Sequence, residues 1–491
     1  MSETIEKVAV EGAAPDRYAA RRWLALPVIL TGTFMTILDF FVVNVAIPSA
    51  QSDLHASDAQ IQFIVAGYGV AYAIGLITGG RLGDLYGRRK VFAIGVAAFT
   101  LTSALCGLAV NADMLVLSRV AQGLAASLMF PQVLAIINVT YTGADRGRAF
   151  SGFGVALGLA SVSGQLIGGL LIAANIFGLG WRTCFLVNLP VGIAALILLP
   201  LLVGESRAQS AKRLDLRGVA LVSPALALLL IPLVEGRQLH WPAWTWVSLA
   251  ASALMLLIFG RAQAATSRRG GTPLVEPALF RSRAFPAGLV TVLSVYCGMA
   301  SLMLIIALYL QDGLHYSALI SGLSFLPMGV TFFLSSRNAG RFIQMWGRRT
   351  LTYGAIAIVI GEGGLALTTM HTGTLPGGGA HVNFLLFAVF MAISGAGIGA
   401  VGAPLIAQVL LGVDPQHAGS ASGVLSTVQQ VAGALGVAVL GIIFYGALHG
   451  HSTPAAYGHA FAVGLVYTVC LAAVTVAVTL PDRLWTGTRG A

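Results

Sequence analysis

The sequence predicts an all-α integral membrane protein with fourteen transmembrane helices. Hydrophobic residues make up 57% of the 491 residues and charged residues only 9%, whereas soluble domains carry about 25% charged residues. Apolar stretches of about 20 residues, the length that crosses a bilayer, recur along the whole chain. The basic residues between these stretches alternate in a way that fits one orientation in a membrane.

Each predicted span is an apolar stretch that is bounded by polar or charged residues. The fourteen spans are 23–48, 61–80, 91–110, 115–138, 150–174, 183–203, 216–234, 244–261, 285–310, 319–338, 350–369, 383–407, 423–446 and 460–480. An even number of spans leaves both termini on the same side of the membrane.

The distribution of Lys and Arg places both termini in the cytoplasm. With that orientation all but three of the 28 basic residues fall on cytoplasmic segments or span ends, as the positive-inside rule requires. The exceptions are Arg182 and Arg237 outside and Arg119 within a span. We therefore predict a multi-pass plasma membrane protein, in bacteria one of the inner membrane.

An internal repeat divides the spans into six plus two plus six. Gly80-Arg81-Leu82 followed by Gly87-Arg88-Arg89 recurs as Gly340-Arg341-Phe342 followed by Gly347-Arg348-Arg349, each time in a predicted cytoplasmic turn between the second and third helices of a half. Parallel repeats around a central site are a transporter plan. The predicted regions are a cytoplasmic tail 1–22, a six-helix half 23–203, two extra helices with linkers 204–284, a second six-helix half 285–480 and a cytoplasmic tail 481–491.

Composition and motifs argue against several other classes of protein. The net charge of +10 comes from topology rather than from a nucleic-acid surface, and the four cysteines show no metal-ligand spacing. The chain contains neither a phosphate-binding Walker loop nor a cluster typical of a nucleophile or a metal centre. We expect no cofactor, no metal, no nucleic-acid partner and no enzymatic activity.

Four motifs resemble those of a known family. They are Leu38-Asp39-Phe40-Phe41-Val42-Val43-Asn44-Val45-Ala46-Ile47-Pro48 in helix one, Gly80-Arg81-Leu82-Gly83-Asp84-Leu85-Tyr86-Gly87-Arg88-Arg89 after helix two, Arg119-Val120-Ala121-Gln122-Gly123 in helix four, and Trp181-Arg182 with Phe185-Leu186-Val187-Asn188-Leu189-Pro190-Val191-Gly192 at helix six. Together they resemble the major facilitator superfamily, in particular its fourteen-helix drug–proton antiporter branch.

Three departures from the family pattern bear on function. Helix five reads Gly164-Gln165-Leu166-Ile167-Gly168-Gly169, where the branch usually has a proline at the second position. Because proline bends a helix, Gln165 predicts a straighter helix five and leaves the direction of coupling open. Phe41 replaces a threonine beside Asp39, and Gln344 stands in the second repeat where the first has Asp84.

Asp39 and Glu362 are acids within predicted spans. A charged carboxylate at the bilayer centre costs about 2.5–3.5 kcal/mol even on the mildest scale, so such residues usually serve function. For Asp39 we predict a site that holds either a proton or the charge of a cationic substrate; the alternative is a hydrated, inert acid near a helix end. Glu362 is either a second coupling or recognition acid or a protonated structural hydrogen-bond donor.

Arg119 is the one basic residue within a span, and an unpaired guanidinium there would be costly. The resemblance implies that Arg119 influences the proton site, and the alternative is a static contact with backbone carbonyls.

The loop signatures form the predicted conformational switch. Its residues are Gly80, Asp84, Gly87, Arg88, Arg89, Gly340, Gly347 and Arg348.

Within this switch Asp84 and Arg88 are placed at the start of helix three. Asp84 either caps a helix N-terminus or, as the resemblance implies, bonds across to the other half in the outward-open state and releases as the halves rock.

Seven residues are candidates for a substrate cavity because aromatic and methionine side chains suit apolar cations, although ordinary packing is the alternative for each. They are Phe34, Tyr68, Tyr72, Met129, Phe130, Tyr296 and Gln311.

The predicted function is proton-coupled efflux of small apolar, cationic compounds by alternating access, of the multidrug type that confers antibiotic resistance. Its partners are the small-molecule substrate, protons and the lipid bilayer, with an accessory periplasmic protein as a candidate. One alternative is proton-coupled uptake or the export of a specific metabolite. Another is a non-transporting membrane receptor or scaffold.

Overall fold

The structure, a computed structural model, describes most of the chain. The described residues are 21–208, 213–236, 239–316, 318–370, 383–448, 450–451 and 453–481. The predicted tails 1–22 and 481–491 therefore lie outside the described residues, apart from positions 21, 22 and 481. The side chain of Gln165 lies outside them as well.

The described residues fold into sixteen α-helices and no strand. The helices are α1 (Arg22–Leu54), α2 (Asp58–Tyr86), α3 (Arg88–Gly107), α4 (Ala112–Thr140), α5 (Gly143–Ala174), α6 (Thr183–Leu186), α7 (Asn188–Leu202), α8 (Leu216–Glu235), α9 (Ala243–Arg268), α10 (Ala284–Ala307), α11 (Ala318–Ser324), α12 (Leu326–Trp346), α13 (Arg349–Met370), α14 (Phe384–Leu411), α15 (Ala418–Leu448) and α16 (Pro454–Thr479).

Twelve helical segments in the described part of the chain are long and apolar enough to cross a membrane. These include the continuous run Gly180–Leu202, which contains α6 and α7. The remaining long helices are α5, with 32 residues, and α12, with 21. The prediction of an all-α, multi-pass membrane protein is confirmed, whereas the count of fourteen spans remains a prediction.

The same pattern of helix packing occurs twice along the chain. In the first part α1 packs on α5, α2 and α3 pack on α4, and α3 packs on α7. In the second part α10 packs on α15, α12 and α13 pack on α14, and α13 packs on α16. Two further contacts, α2 with α15 and α5 with α12, join the two parts in a matching way.

Helices α8 and α9 pack on each other as a hairpin beside this double bundle. Helix α8 also contacts α2 and α15, the pair that joins the two parts. Asp215 caps α8 by accepting a hydrogen bond of 2.9 Å from the N–H of Gly218. The hairpin therefore lies against the boundary between the two repeats.

The loop signatures differ from the prediction in their local structure. Gly80 and Asp84 lie in the last turns of α2 rather than in a turn, and Asp84 is not at the start of the third helix. Only Gly87 separates α2 from α3, with φ of +102°. In the second copy Gly340 lies within α12, and Gly347, with φ of +56°, ends that helix. The apolar run continues helically until a glycine with positive φ breaks it.

Candidate functional site

Asp39, which is fully buried in α1, accepts hydrogen bonds from three side chains. Arg119 of α4 donates to Oδ2. Oδ1 accepts from Gln122 Nε2 at 3.0 Å and from Asn188 Nδ2 of α7 at 3.2 Å. Three donors with a guanidinium among them suit an ionised carboxylate, because charge-assisted hydrogen bonds are the strong ones.

The guanidinium of Arg119 is as completely buried as Asp39. Its Nε donates to the carbonyl oxygen of Ile64 at 3.1 Å, and its Nη1 also donates to Gln122 Oε1 at 2.8 Å. The ring of Tyr68 lies 4.2 Å from Cζ and that of Phe185 lies 5.7 Å from it, both within cation–π range. Nη2 has no hydrogen-bond partner among the described residues. Arg119 thus contacts both a carboxylate and a backbone carbonyl, and its influence on a proton site stays a prediction.

Three residues to which the sequence analysis assigned no role complete this site. Gln122 and Asn188 both donate to Asp39, and both also donate to Ser103 Oγ of α3, at 3.2 and 3.1 Å. Ser103 in turn donates to the carbonyl oxygen of Phe185 at 2.8 Å. Gln122 and Asn188 stand in the motifs quoted above, and Gln122 lies one turn after Arg119, so the helical period was the available signal. We call Asp39, Arg119, Gln122, Asn188 and Ser103 the buried polar cluster.

Glycines of α5 allow that helix to lie close to α1 beside Asp39. A Cβ at Gly164 would lie 2.7 Å from Phe41 Cβ, and a Cβ at Gly168 would lie 2.9 Å from Val42 Cγ2. At Gly169 a Cβ would meet no described atom within 4 Å. The backbone of α5 is one continuous helix through position 165. Two of the three glycines therefore set the spacing of α1 and α5.

Glu362 is buried in α13 and does not belong to this cluster. It hydrogen-bonds to the side chain of Thr468 in α16. Its Oε2 is buried without a partner in the part of the chain that the structure describes. The hydroxyl of Thr468 donates to the carbonyl oxygen of Leu465 at 3.0 Å. The structure thus separates the two acids that the sequence singled out into the two repeats.

Part of the candidate cavity set forms an aromatic chain next to the buried polar cluster. Tyr68 stacks on Tyr72 with a centroid distance of 6.1 Å, and Tyr72 meets Phe130 edge-on at 6.0 Å. Tyr296 of α10 lies near Tyr72 and hydrogen-bonds to Gln429 of α15. The chain therefore runs from Arg119 to helices of the second repeat.

The other candidates of this set lie elsewhere. Met129 is fully buried and its Cγ would meet a Cβ at Gly95 of α3 at 2.7 Å, so it lies in a helix contact. Gln311 is exposed in a π-helical turn after α10, Leu308–Gly313, where it donates to Ser321 Oγ at 3.1 Å. Phe34 is half-buried on α1.

Asp84 binds the N-terminus of α15 across the boundary between the repeats. Its carboxylate accepts hydrogen bonds from the N–H groups of Gly419 at 3.0 Å and Ser420 at 2.9 Å. Arg88 Nη2 donates to Asp84 Oδ1 at 2.8 Å and to the carbonyl oxygen of Pro415 at 2.6 Å. First-turn N–H groups lack helical partners and attract anions. We call Asp84, Arg88, Pro415, Gly419 and Ser420 the latch. Asp84 thus caps a helix N-terminus that belongs to the other repeat, and its release during transport stays a prediction.

Two glycines of the signature have steric reasons to be glycine. A Cβ at Gly80 would overlap the carbonyl oxygen of Gly419, so α2 and α15 touch backbone to backbone. At Gly87 a Cβ would lie 2.6 Å from Cδ of Glu205. Glu205 accepts hydrogen bonds of 3.1 Å from the N–H groups of Arg89 and Lys90 and thereby caps α3.

In the second copy of the signature, no described contact corresponds to the Asp84 carboxylate at the N-terminus of α15. Gln344, which stands where Asp84 would be, is exposed. A Cβ at Gly340 would have its nearest described neighbour, Ser151 Oγ of α5, at 3.6 Å, an ordinary contact. Arg348 Nη1 donates to the carbonyl oxygen of Thr479 at 3.4 Å within its own repeat. The helices α5 and α12 are therefore further apart at Gly340 than α2 and α15 are at Gly80.

At the opposite end of the first repeat, an ion pair joins Asp53 of α1 to Arg182, which directly precedes α6. Asp53 at the end of α1 accepts from Arg182, and from Trp181 Nε1 at 3.0 Å. Arg182 Nη2 also donates to the carbonyl oxygen of Ala109 at 3.1 Å. The hydrogen bond from Arg182, followed by that from Trp181, lowers the pKa of Asp53 below its ordinary value.

Curated proteins that are similar to this chain include bacterial export and resistance proteins. A probable actinorhodin transporter of Streptomyces coelicolor is 39% identical over 442 residues, which are 90% of this chain and 75% of that protein. The puromycin resistance protein pur8 of Streptomyces alboniger is 35% identical over 491 residues, 97% of this chain and 95% of that protein. A cephamycin export protein of Amycolatopsis lactamdurans is 32% identical over 460 residues, 92% of this chain and 91% of that protein.

A family model described as Major Facilitator Superfamily matches residues 29–437. The chain belongs to the major facilitator superfamily. Among solved structures, the human organic anion transporter MFSD10 superposes with a TM-score of 0.63 at 16% identity, covering 94% of this chain and 100% of that one. At that identity the likeness shows the fold alone. The predicted family is thus confirmed, and the relatives' roles in drug export and resistance agree with the predicted function.

Membership in the superfamily explains why the pattern of helix packing occurs twice. Transporters of this superfamily pair two halves around a central site, and substrate and ion sites lie at their interface. The buried polar cluster lies wholly within the first repeat, and the aromatic chain leads from it toward the second. The latch lies at one end of the boundary, where α2 meets α15.

Proposed function

We propose that this protein exports small apolar cations in exchange for protons, as a fourteen-span drug–proton antiporter with both termini in the cytoplasm. In this proposal α5 and α12 are spans, α1–α7 and α10–α16 form the two halves, and α8 and α9 are the extra pair. The relatives' names support export, and the lopsided distribution of basic residues supports the orientation.

The observation that carries the proposal is the fully buried Asp39–Arg119 pair. A carboxylate in a membrane interior is retained for function because its burial is costly. When Asp39 takes up a proton it loses its charge, and Arg119 loses its partner. An arriving substrate cation favours the ionised acid again. Proton release is thereby linked to the movement of Arg119 and the aromatic chain.

The latch supplies the conformational half of the mechanism. With Asp84 bound to the N-terminus of α15, the cytoplasmic ends of α2 and α15 are held together, which corresponds to access from the outside. Opening toward the cytoplasm must break these hydrogen bonds and the Gly80–Gly419 contact. The proton motive force contributes to the cost of this opening, since one charge that crosses 100 mV gains about 2.3 kcal/mol.

Glu362 has a separate part in the proposal. It lies between α13 and α16, away from the contacts between the repeats. Because the Thr468 hydroxyl proton is directed to Leu465, a protonated Glu362 that donates to Thr468 fits this geometry. We therefore assign it the structural role rather than that of a second coupling acid.

A second candidate function is the export of one specific metabolite. It is favoured by relatives whose names specify single compounds, such as actinorhodin and cephamycin. Proton-coupled uptake rests on Gln165 alone and is the weaker alternative.

A susceptibility panel tests the proposal most broadly. Cells that express the protein should tolerate several structurally unrelated cationic compounds better than cells without it, and an uncoupler should abolish the difference. Protection against one compound only would favour the specific exporter, and unchanged susceptibility together with compound accumulation would favour uptake. Asp39→Asn should remove protection at equal protein level in the membrane, and retained protection would contradict the role of Asp39.

A further inference from the structure

An apolar cavity of about 360 Å³ lies where the extra helix pair meets both repeats. Its wall combines Ile77 of α2, Leu226 of α8, Phe259 of α9, Leu289 of α10 and Val424 of α15. Among its lining residues only Thr427 has a polar side chain. The volume falls within the range of roughly 300–1,000 Å³ that is typical of ligand pockets. Neither the buried polar cluster nor the latch uses this cavity.

The cavity lies toward the end of the helices that carries the latch. Its lining residues on α10 and α15 begin five to six residues after the first residue of each helix, which places them roughly 8–20 Å along the axes. Phe280 and Val290, at the mouth, are 46% and 45% exposed. In the orientation proposed above, the mouth therefore opens sideways into the cytoplasmic leaflet of the membrane.

Three exposed arginines lie close in sequence to residues of the cavity wall. Arg281 and Arg283 are one and three residues after Phe280, and Arg217 is five residues before Val222. None of the three forms an ion pair with an acid among the described residues. Basic pockets on the cytoplasmic side of membrane helices attract anionic lipid head groups.

Hydrogen bonds connect one segment of the cavity wall, Leu274 and Val275, to the latch. Val275 of its wall donates from its N–H to Gln263 Oε1 at 3.1 Å. The neighbouring carbonyl oxygen of Leu274 accepts a hydrogen bond of 3.1 Å from Ser420 Oγ. Ser420 is also the residue whose N–H binds Asp84. A ligand that fills the cavity thus packs against a segment that the closed latch holds in place.

We propose that this cavity binds an anionic phospholipid of the cytoplasmic leaflet, with an acyl chain in the apolar wall and the phosphate at Arg281 and Arg283. Because the wall is built from both repeats, the site is complete only while α2 and α15 are together. Bound lipid therefore favours the latched conformation.

Photocrosslinking in vesicles tests this site directly. Benzoylphenylalanine replaces Phe259 in the cavity or, as a control, Leu257 on the same helix, which is 59% exposed. The full-length protein is reconstituted in vesicles of phosphatidylethanolamine and phosphatidylglycerol at a 3:1 ratio, irradiated, and its lipid adducts are identified by mass spectrometry. We expect phosphatidylglycerol to be at least threefold enriched at position 259 over position 257.

A charge variant separates binding from background. Arg281→Gln/Arg283→Gln should reduce the phosphatidylglycerol fraction at position 259 to that at position 257. The matched variant Arg341→Gln/Arg349→Gln, which removes two exposed arginines beside the loop of the second repeat, should leave the enrichment intact. The proposal would be overturned if position 259 formed no lipid adducts, or if its adducts matched the bulk lipid ratio. It would also be overturned if Arg281→Gln/Arg283→Gln left the enrichment at position 259 unchanged.

Discussion

Asp84 accepts a hydrogen bond of 3.0 Å from the N–H of Gly419, which lies 335 residues further along the chain. This single contact joins the end of one helix in the first repeat to the beginning of another in the second. Asp84 and Arg88 are both almost fully buried, so the contact is made away from water. In the proposed mechanism, this carboxylate at the end of α2 governs the relative position of the two repeats.

Asp84→Asn should open the cytoplasmic side and slow transport while substrate binding is largely retained. Removal of one partner from a buried ion pair costs about 3–5 kcal/mol, and here Arg88 would remain without its carboxylate. The measurement is the reactivity of cysteines introduced at the cytoplasmic ends of α2 and α15, together with the transport rate. Unchanged reactivity and a normal rate would show that the latch does not hold the halves.

Gly80→Ala should have the same effect for a steric reason. Its Cβ would overlap the carbonyl oxygen of Gly419, whereas a Cβ at the repeat-related Gly340 would have 3.6 Å of space. Gly340→Ala is therefore the matched control and should transport normally. Transport rates and cytoplasmic cysteine reactivity of both variants are to be compared. Equal behaviour of the two would refute the close contact of α2 and α15.

Gly164→Ala should reduce transport by displacing α1 at Asp39. The new methyl group would lie 2.7 Å from Phe41 Cβ, and overpacking of this kind costs about 1–3 kcal/mol. Gly169→Ala, which meets no described atom within 4 Å, is the control. Efflux of a cationic dye from cells checks this. The contact would be contradicted if Gly169→Ala lost efflux or if Gly164→Ala kept normal efflux.

The Asp39–Arg119 pair should show strong energetic coupling. Arg119→Gln alone leaves a buried carboxylate without its partner and should destabilise the protein by about 3–5 kcal/mol. Asp39→Asn in addition should restore part of that loss, because the remaining charge is removed. Equilibrium unfolding in mixed micelles of the wild type, both single variants and the double variant measures the coupling. Additive effects would mean that the pair contributes no specific interaction.

Asp53 gives a pH dependence that the membrane interior does not complicate. Because its pKa is lowered in the folded protein, its stabilising effect is complete above its ordinary value of about 3.9 and declines as the pH falls below it. The side chain is 47% exposed, so Asp53→Asn should cost at most about 1 kcal/mol. Melting temperatures of both proteins should differ equally at pH 7 and pH 5, and the difference should shrink as the pH falls from about 4 through the lowered pKa of Asp53. A difference that does not decrease at all between pH 5 and pH 2 would argue against this ion pair.

The sequence could predict which residues carry the chemistry better than it could predict their partners. Apolar length placed all fourteen predicted spans in helical segments, with ends that differ by up to eight residues, because burial of backbone groups in lipid requires helices. The importance of Asp39 and Arg119 followed from the cost of charge in such a span. Their partners Gln122, Asn188 and Ser103 are ordinary polar residues, whose roles depend on tertiary contacts between α3, α4 and α7.

The limits of sequence reasoning are clearest at Asp84 and Glu362. Asp84 was placed at the start of the third helix, because nothing local reveals that α2 continues to Tyr86 and that the N-terminus of α15 lies opposite. Glu362 and Asp39 were grouped by their shared burial, yet their helices belong to different repeats. The cavity beside α8 and α9 was not predicted, since apolar residues on five helices carry no pattern that reveals a shared void.

Proton movement in reconstituted vesicles tests the central claim most directly. Vesicles that contain the protein and a trapped pH-sensitive dye receive a gradient of a cationic substrate without an imposed pH gradient. The account predicts proton flux opposite to the substrate in the wild type and in Asp113→Asn, an exposed acid of α4, and no proton flux in Asp39→Asn. Substrate-driven proton flux that persists in Asp39→Asn at the wild-type rate would contradict the account.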